Sequence, residues 1–472
     1  MLTLALVLGC TEEPVAVLDD DVRLDAADDA DVVESHSTRM CVDDTGSVYV
    51  FWVDDRRGSG FADLWMSRSM DLGETWFEIP TKVNVGDGRV SSPAVACADE
   101  GVVAVWMDDR DSEIGRTNIY ANVMGPEGEF LAEDIAIDDD PLGLSNGHTP
   151  VVAVQDEFIA VAWVDDRYGS YDILFNRSVD FGETFAGQQR LGSDQLGEAF
   201  SGRPTLALGP NALWVAWEDS RDGSSDIYLM GSETGGSTFQ APRELRIDRG
   251  DEPGEYFSLG PQVCADNRGG AAVVWYDQRN GAANDVLFSA SSNGLQWFAP
   301  AMLESDNPGF ANSTAPRCVA QGDLVHAVWT DERSGGSDLH FRTLSDGRAI
   351  GDGDVRVDRG EGPGASVARF PQLAISSDGP VVAWLDDRLA IQNGRSQIFN
   401  NLYYNYVDDT GQWQEQDFRA DAGPNGRAIR SDLNLAVIGR TAFFAWTDDR
   451  EGTGDIYARV LELGDDIEGP QE

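Results

Sequence analysis

Trp52-Val53-Asp54-Asp55-Arg56 is the first copy of a motif that returns seven times. The later copies are Trp106-Met107-Asp108-Asp109-Arg110, Trp163-Val164-Asp165-Asp166-Arg167, Trp217-Glu218-Asp219-Ser220-Arg221, Trp275-Tyr276-Asp277-Gln278-Arg279, Trp329-Thr330-Asp331-Glu332-Arg333, Trp384-Leu385-Asp386-Asp387-Arg388 and Trp446-Thr447-Asp448-Asp449-Arg450. Successive tryptophans stand 54, 57, 54, 58, 54, 55 and 62 residues apart, so the chain is a tandem array rather than a string of ordinary domains. The period is longer than that of leucine-rich or tetratricopeptide units, and no long amphipathic helix interrupts it.

Each unit resolves into short extended segments. In the second, Val83-Asn-Val85, Ala94-Val-Ala-Cys97, Val102-Val-Ala-Val-Trp106 and Asn118-Ile-Tyr-Ala-Asn-Val123 are separated by turn residues, and Glu244 to Ile247, Pro261 to Cys264, Ala272 to Trp275 and Asp285 to Phe288 repeat the order in the fifth. Four strands per unit are the content of one propeller blade. The expected fold is all-β, an eight-bladed β-propeller of four-stranded blades over residues 21–465. Asp21-Val-Arg-Leu-Asp25 matches Asp354-Val-Arg-Val-Asp358, whereas the last unit ends near Tyr457-Ala-Arg-Val460 without a fourth strand. Val22 to Leu24 is therefore expected to complete the last blade and close the ring.

The motif suits a structural clamp. Tryptophan at the end of the second strand brings a large apolar surface to the space between blades. The Asp two residues on can cap turn amides, and the Arg fork can grip a carboxylate. Eightfold recurrence favours that reading over an arginine ring for an anionic ligand, because a catalytic centre breaks repeat symmetry. Cys41 and Cys97 hold comparable first-strand positions in neighbouring units, as do Cys264 and Cys318. Four cysteines allow three pairings; Cys41-Cys97 and Cys264-Cys318 fit neighbouring blades, the alternative being four buried thiols.

The chain has 83 acidic and 34 basic residues, a formal charge of -49, while 41% of it is hydrophobic. A large core is affordable, and nucleic acid and anionic lipid surfaces are disfavoured as partners. The charge serves solubility, or else binds cations. Residues 1–10, MLTLALVLGC, are too short to span a bilayer and resemble the bacterial lipoprotein signal, which implies lipidation of Cys10, although the usual positive start is missing. Residues 11–20 read as an acidic tether and 466–472 as an acidic tail. The implied location is the bacterial cell envelope, lipid-anchored in the outer membrane or secreted.

Ser69-Met-Asp71-Leu-Gly73-Glu-Thr75-Trp76 and Ser178-Val-Asp180-Phe-Gly182-Glu-Thr184-Phe185 resemble the Asp box of sialidases and other BNR-repeat propellers, with eroded versions at Ser232 to Phe239 and Ser292 to Trp297. The resemblance implies a turn between third and fourth strands. It does not imply sialidase catalysis: that family's Arg-Ile-Pro segment is absent, Arg203-Pro204 is no substitute, its propellers have six blades, and no catalytic residue carries over. The four histidines lack zinc-site spacing, and there is no phosphate loop, so no cofactor is expected. Structural calcium is open at Asp43-Asp44, Asp138 to Asp140 and Asp408-Asp409, none of which has EF-hand spacing; solvated acidic loops are the alternative.

The long connections Asp25 to His36, Asp138 to Thr149 and Asp358 to Phe370 share a face with the Trp-x-Asp-x-Arg turns, and the Asp-box turns lie opposite. Long, varied loops on a rigid scaffold make the first face the recognition face. The insertion after Arg388 breaks the seventh repeat and makes Arg388, Arg395 and Tyr403 candidate binding residues, against a longer turn with packed tyrosines. The chain is thus expected to be a monomeric, non-enzymatic scaffold that binds a protein or glycan on this face. The alternative, a sialidase-like exo-glycosidase, requires a non-repeating cluster of Arg, Tyr and acidic residues in the central cleft.

Overall fold

The structure, a computed structural model, describes residues 21–25, 33–58, 60–112, 114–138, 143–210, 212–239, 244–392 and 399–464. The signal, Cys10, the tether, the tail and Arg395 lie outside the described residues.

Eight antiparallel sheets form a closed ring of blades. The first blade runs outward from the axis through Ser35–Val42, Val48–Asp54, Asp63–Ser69 and Thr81–Lys82, and the others follow the same order. The sixth carries two short outer segments, Arg348–Ala349 and Val355–Arg356, both paired with Asp338–Ser345. A single short helix, Arg388–Gln392, stands among the described residues.

Second strands such as Val48–Asp54 are buried along their whole length because a neighbouring blade covers each face. The apolar clusters accordingly lie between blades. Phe51 and Leu64 of the first blade pack with Val102, Ala104 and Trp106 of the second. Val48, Val50 and Trp52 pack with Phe443, Ala445 and Ile456 of the eighth, so the seam between the chain ends is as apolar as any other.

The N-terminal strand closes the ring as expected. Val22 pairs with Ala458 and Arg23 with Tyr457, and the Leu24 N–H donates to the Ile456 carbonyl at 2.8 Å. Arg450 reaches back to Asp21 at 2.6 Å. Both disulfides join innermost strands of adjacent blades, Cys41–Cys97 with Cα atoms 5.7 Å apart and Cys264–Cys318 at 6.1 Å.

The phase of the repeat needs correcting. The segment read as opening the second unit belongs to the first blade, where Thr81–Lys82 pairs with the third strand and the Val83 N–H donates to the Leu64 carbonyl. Likewise Leu245–Arg246 pairs with the third strand of the fourth blade, not the fifth. A strand pairs with the antiparallel neighbour it turns back upon, so the longer connection runs from outer strand to the next axis. The sequence unit therefore starts one strand early, and this same offset lets the N-terminal strand finish the eighth blade.

Candidate functional site

The Trp-x-Asp-x-Arg turn has one geometry in all eight blades. Each arginine N–H donates to Oδ1 of the Asp two residues earlier at 2.7–2.9 Å, and its guanidinium grips Oδ2 of the same carboxylate. In six blades the tryptophan Nε1 donates to that carboxylate too, as Trp275 does to Asp277 at 2.9 Å. Five of the guanidinium groups lie flat on an aromatic ring of the third strand, at 4.0–4.1 Å from its centre. Burial pushes Asp219, Asp277, Asp331 and Asp386 up, but the hydrogen bonds and charge of their arginines outweigh it and leave each below its ordinary value. These arginines are engaged within their own turns.

The two close box sequences also share one geometry, between the third and outer strands. Ser69 Oγ donates to Asp71 at 2.7 Å and accepts the Gly73 N–H at 2.9 Å, while Asp71 accepts from the Thr75 N–H and hydroxyl. Ser178, Asp180, Gly182 and Thr184 repeat these bonds. Trp76 and Phe185 pack at the edges of neighbouring cores.

Arg388 and Tyr403 are not surface contacts. Arg388 is 6% exposed, clamped on Asp386 and Asp417, with its guanidinium 4.0 Å from the Tyr403 ring centre, and Tyr403 is buried as well. These side chains keep the interior roles that the repeat assigns them. Asp43 and Asp408 are spent on turn amides and hydroxyls of Thr45, Ser47, Thr410 and Gln412, and Asp138 on Asn118 and the Ile119 N–H.

A second eightfold feature, not recognised in the sequence, lies where each innermost strand begins. Ser37, Ser92, Thr149, Arg203, Gly260, Ala315, Phe370 and Asp432 all have left-handed backbones, with φ between 44° and 63°. A register shift marks the spot in every blade. These are bulges, which re-aim a side chain, and non-glycine residues held there carry strain. Strand register sets them beside the Trp-x-Asp-x-Arg face, since Ser35 pairs with Asp54. The backbone is the same eight times; the side chain changes each time but one.

The chemistry concentrates in the third to fifth blades. Arg203 Nη1 donates to Glu218 Oε1 at 3.1 Å and to the Tyr276 hydroxyl at 3.2 Å, and the Gly260 N–H donates to the same Glu218 oxygen at 2.6 Å. Burial raises the Glu218 carboxyl above its ordinary value, against the pull of that N–H and of Arg203. Gly260 is required on two counts: its φ is left-handed, and a Cβ there would meet the Tyr276 ring at 2.4 Å. Beside this cluster, His148, Tyr171 and Phe200 form an edge-to-face row with centres 5.5 and 5.7 Å apart. Phe200, Tyr256 and Phe257 are exposed, and the last two line a cleft of about 400 Å³ with Gln278, Arg279 and Asn280.

One signal for this site was present in the sequence. Glu218 and Tyr276 stand in the variable second position of the motif, where the other copies have Val53, Met107, Val164, Thr330, Leu385 and Thr447. On the opposite face a cleft of about 700 Å³ is lined by Phe158, Trp214, Glu233, Arg268 and Asn293.

No protein-family model matches this chain, and no curated protein matches it either. Among solved structures it is similar to a protein of unknown function from Dyadobacter fermentans (11% identity, 80% of this chain and 96% of that one, TM-score 0.42). It is also similar to the polysaccharide lyase Uly1 (8% identity, 91% and 90%, TM-score 0.49) and to the GH93 α-L-arabinofuranosidase of Fusarium graminearum (11% identity, 66% and 92%, TM-score 0.37). Likeness at this level carries no statement about activity.

Proposed function

We propose that the protein is a binding scaffold for a glycan, held at the axis on the Trp-x-Asp-x-Arg face over the third to fifth blades. The observation that carries this reading is the break in symmetry there: Arg203, Glu218 and Tyr276 meet beside exposed Phe200, Tyr256 and Phe257. Aromatic faces stack on the apolar faces of sugar rings, and a carboxylate fixed by an arginine and a backbone N–H is a pre-oriented acceptor for hydroxyl groups. A rigid ring loses little freedom on binding. The two box turns support reading the chain as a BNR-type, Asp-box repeat propeller without the sialidase catalytic pattern. Two disulfides support an oxidising compartment, hence an extracellular or envelope location with lipid attachment at Cys10.

The same cluster supports a second reading, glycoside hydrolysis, since it supplies a non-repeating Arg, a Tyr and one of the two carboxyl groups that such a site uses. Oligosaccharide arrays followed by calorimetry separate the two. Binding is expected for the wild type and is weakened by at least about tenfold in Arg203→Ala, with no shortened product in mass spectra. Products that vanish in Glu218→Gln while binding persists would establish the hydrolase. A wild type that binds no oligosaccharide would remove the glycan reading and leave a protein partner on this face.

A further inference from the structure

A buried polar pair recurs deep in the blades, and one blade treats it differently. The third strand opens with a buried Asp or Asn, namely Asp63, Asn118, Asp172, Asp226, Asp285, Asp338, Asn401 and Asp455 in chain order. In most blades a second buried group follows the outer strand and accepts the N–H of the next third-strand residue. Asp358 does so from Leu339, Asp421 from Leu402 and Asp25 from Ile456.

In three of the blades where both groups are acids, an outer-strand arginine bridges them. Arg246 joins Asp226 and Asp248 at 3.2 and 2.9 Å, Arg356 joins Asp338 and Asp358 at 3.2 and 3.0 Å, and Arg23 joins Asp455 and Asp25 at 2.8 and 2.9 Å. The second blade has Ala136 in place of the arginine, but there the partner of Asp138 is the amide of Asn118, at 3.0 Å. The fifth blade has two acids, Asp285 and Glu304, and Met302 in the arginine position.

The consequence is visible around Glu304, which is 5% exposed. Its Oε1 accepts the Val286 N–H, but its buried Oε2 meets no hydrogen-bond donor among the described residues. Neither buried oxygen of Asp306 meets one. The cation nearest to Asp306 is Arg333 of the sixth blade, 3.8 Å away and already engaged by Asp331 and by Asp354. One oxygen each from Glu304, Asp306 and Asp331 fall within 4.8 Å of one another, Asp331 being the clamp carboxylate that also accepts from Arg333 and Ser313. Unpaired buried carboxylates are costly, and the internal repeats show what this fold supplies elsewhere: a positive charge.

We propose that Glu304, Asp306 and Asp331 hold a calcium ion in the seam between the fifth and sixth blades, which gives Glu304 the positive charge that an outer-strand arginine gives its counterparts, while Asp285 is served by Asn280 and the Gly309 N–H. The three side-chain donors are all oxygen, with no sulfur or imidazole, which selects a hard cation; water and backbone carbonyls complete the shell of an ion that takes six to eight oxygens. The same seam carries the Cys264–Cys318 bridge, so ion and disulfide staple it at different radii.

The test uses the full chain, stripped with a chelator and titrated with calcium chloride by calorimetry, with melting followed in parallel. One site is expected to disappear in Met302→Arg, which adds the repeat's own cation, and to weaken by at least about 10–100-fold in Glu304→Gln. Met302→Arg is further expected to melt in chelator no lower than the wild type in calcium. Because that variant restores a feature present in sister blades, it keeps the test decisive even if Glu304→Gln folds poorly. A wild type with no calcium heat and no calcium-dependent melting overturns the proposal, as does calcium binding that Met302→Arg leaves unchanged.

Discussion

The turn that leaves each second strand and the bulge that opens each innermost strand lie on the same side of the ring, but they repeat in opposite ways. In the turn the Trp, Asp and Arg side chains are identical eight times, and each arginine is closed onto its own carboxylate. In the bulge only the backbone is repeated: φ stays near 50° while the residue runs from Ser92 to Arg203 to Phe370 to Asp432. Repeated side chains mark what every blade needs in order to pack. A repeated backbone with changing side chains marks a rigid frame that presents different chemistry at each station around the axis.

The comparison is most directly broken by matched substitutions in the seventh blade. Asp386→Ala leaves the Arg388 N–H and the Trp384 indole without their acceptor and the buried guanidinium with Asp417 alone, and is expected to cost about 3–5 kcal/mol in urea unfolding. Phe370→Ala, at a position 60% exposed, is expected to stay within about 0.5 kcal/mol of wild type. Equal losses would mean that the bulge residues are structural after all.

A pH series sharpens the contrast between the clamp and the buried carboxyls further out. Burial, against the opposing charge of Arg356, pushes Asp358 up to about 8. Its folded form holds the proton more tightly than the unfolded chain does. That contribution is complete below the ordinary carboxylate range and is lost as pH rises from about 4 toward 8. The depressed Asp386 has the opposite sign, stabilising above its ordinary value and losing that contribution as pH falls. Melting temperatures followed from below the ordinary carboxylate range up to about pH 8 are expected to show both slopes. Asp358→Asn should make the alkaline slope shallower, the rest of it coming from other raised carboxyls such as Asp226 and Asp138, and leave the acid one.

The smallest effect concerns the bulge backbone itself. Ala315 has a φ of 53°, which glycine adopts without strain, so Ala315→Gly is expected to gain about 0.5 kcal/mol once glycine's greater chain entropy is counted. A loss of stability there would show that the left-handed residue is not strained.

Much of this architecture was readable along the chain because its causes are local and periodic. Eight tryptophans at a regular spacing, four short strands per unit and a fourth strand missing from the end state the blade count and the closure by Val22 to Leu24 without any coordinates. The cysteine pairs followed from equal positions in neighbouring units. Three matters depended on which surfaces finally touch. The outer strand's allegiance to the preceding blade is a choice of pairing partner, to which composition is silent. Arg388 and Tyr403 looked like an exposed insertion until packing closed over them. Arg203 and Glu218 lie on paired strands of the fourth blade and Tyr276 on the fifth, and the three form a site only because adjacent blades bring Tyr276 within hydrogen-bond reach of Arg203. Periodicity determined the ring by itself, since every unit must bury the same apolar faces against its neighbours. The site was decided by tertiary structure, because it arises where the repeat stops repeating and neighbouring blades bring unlike residues together.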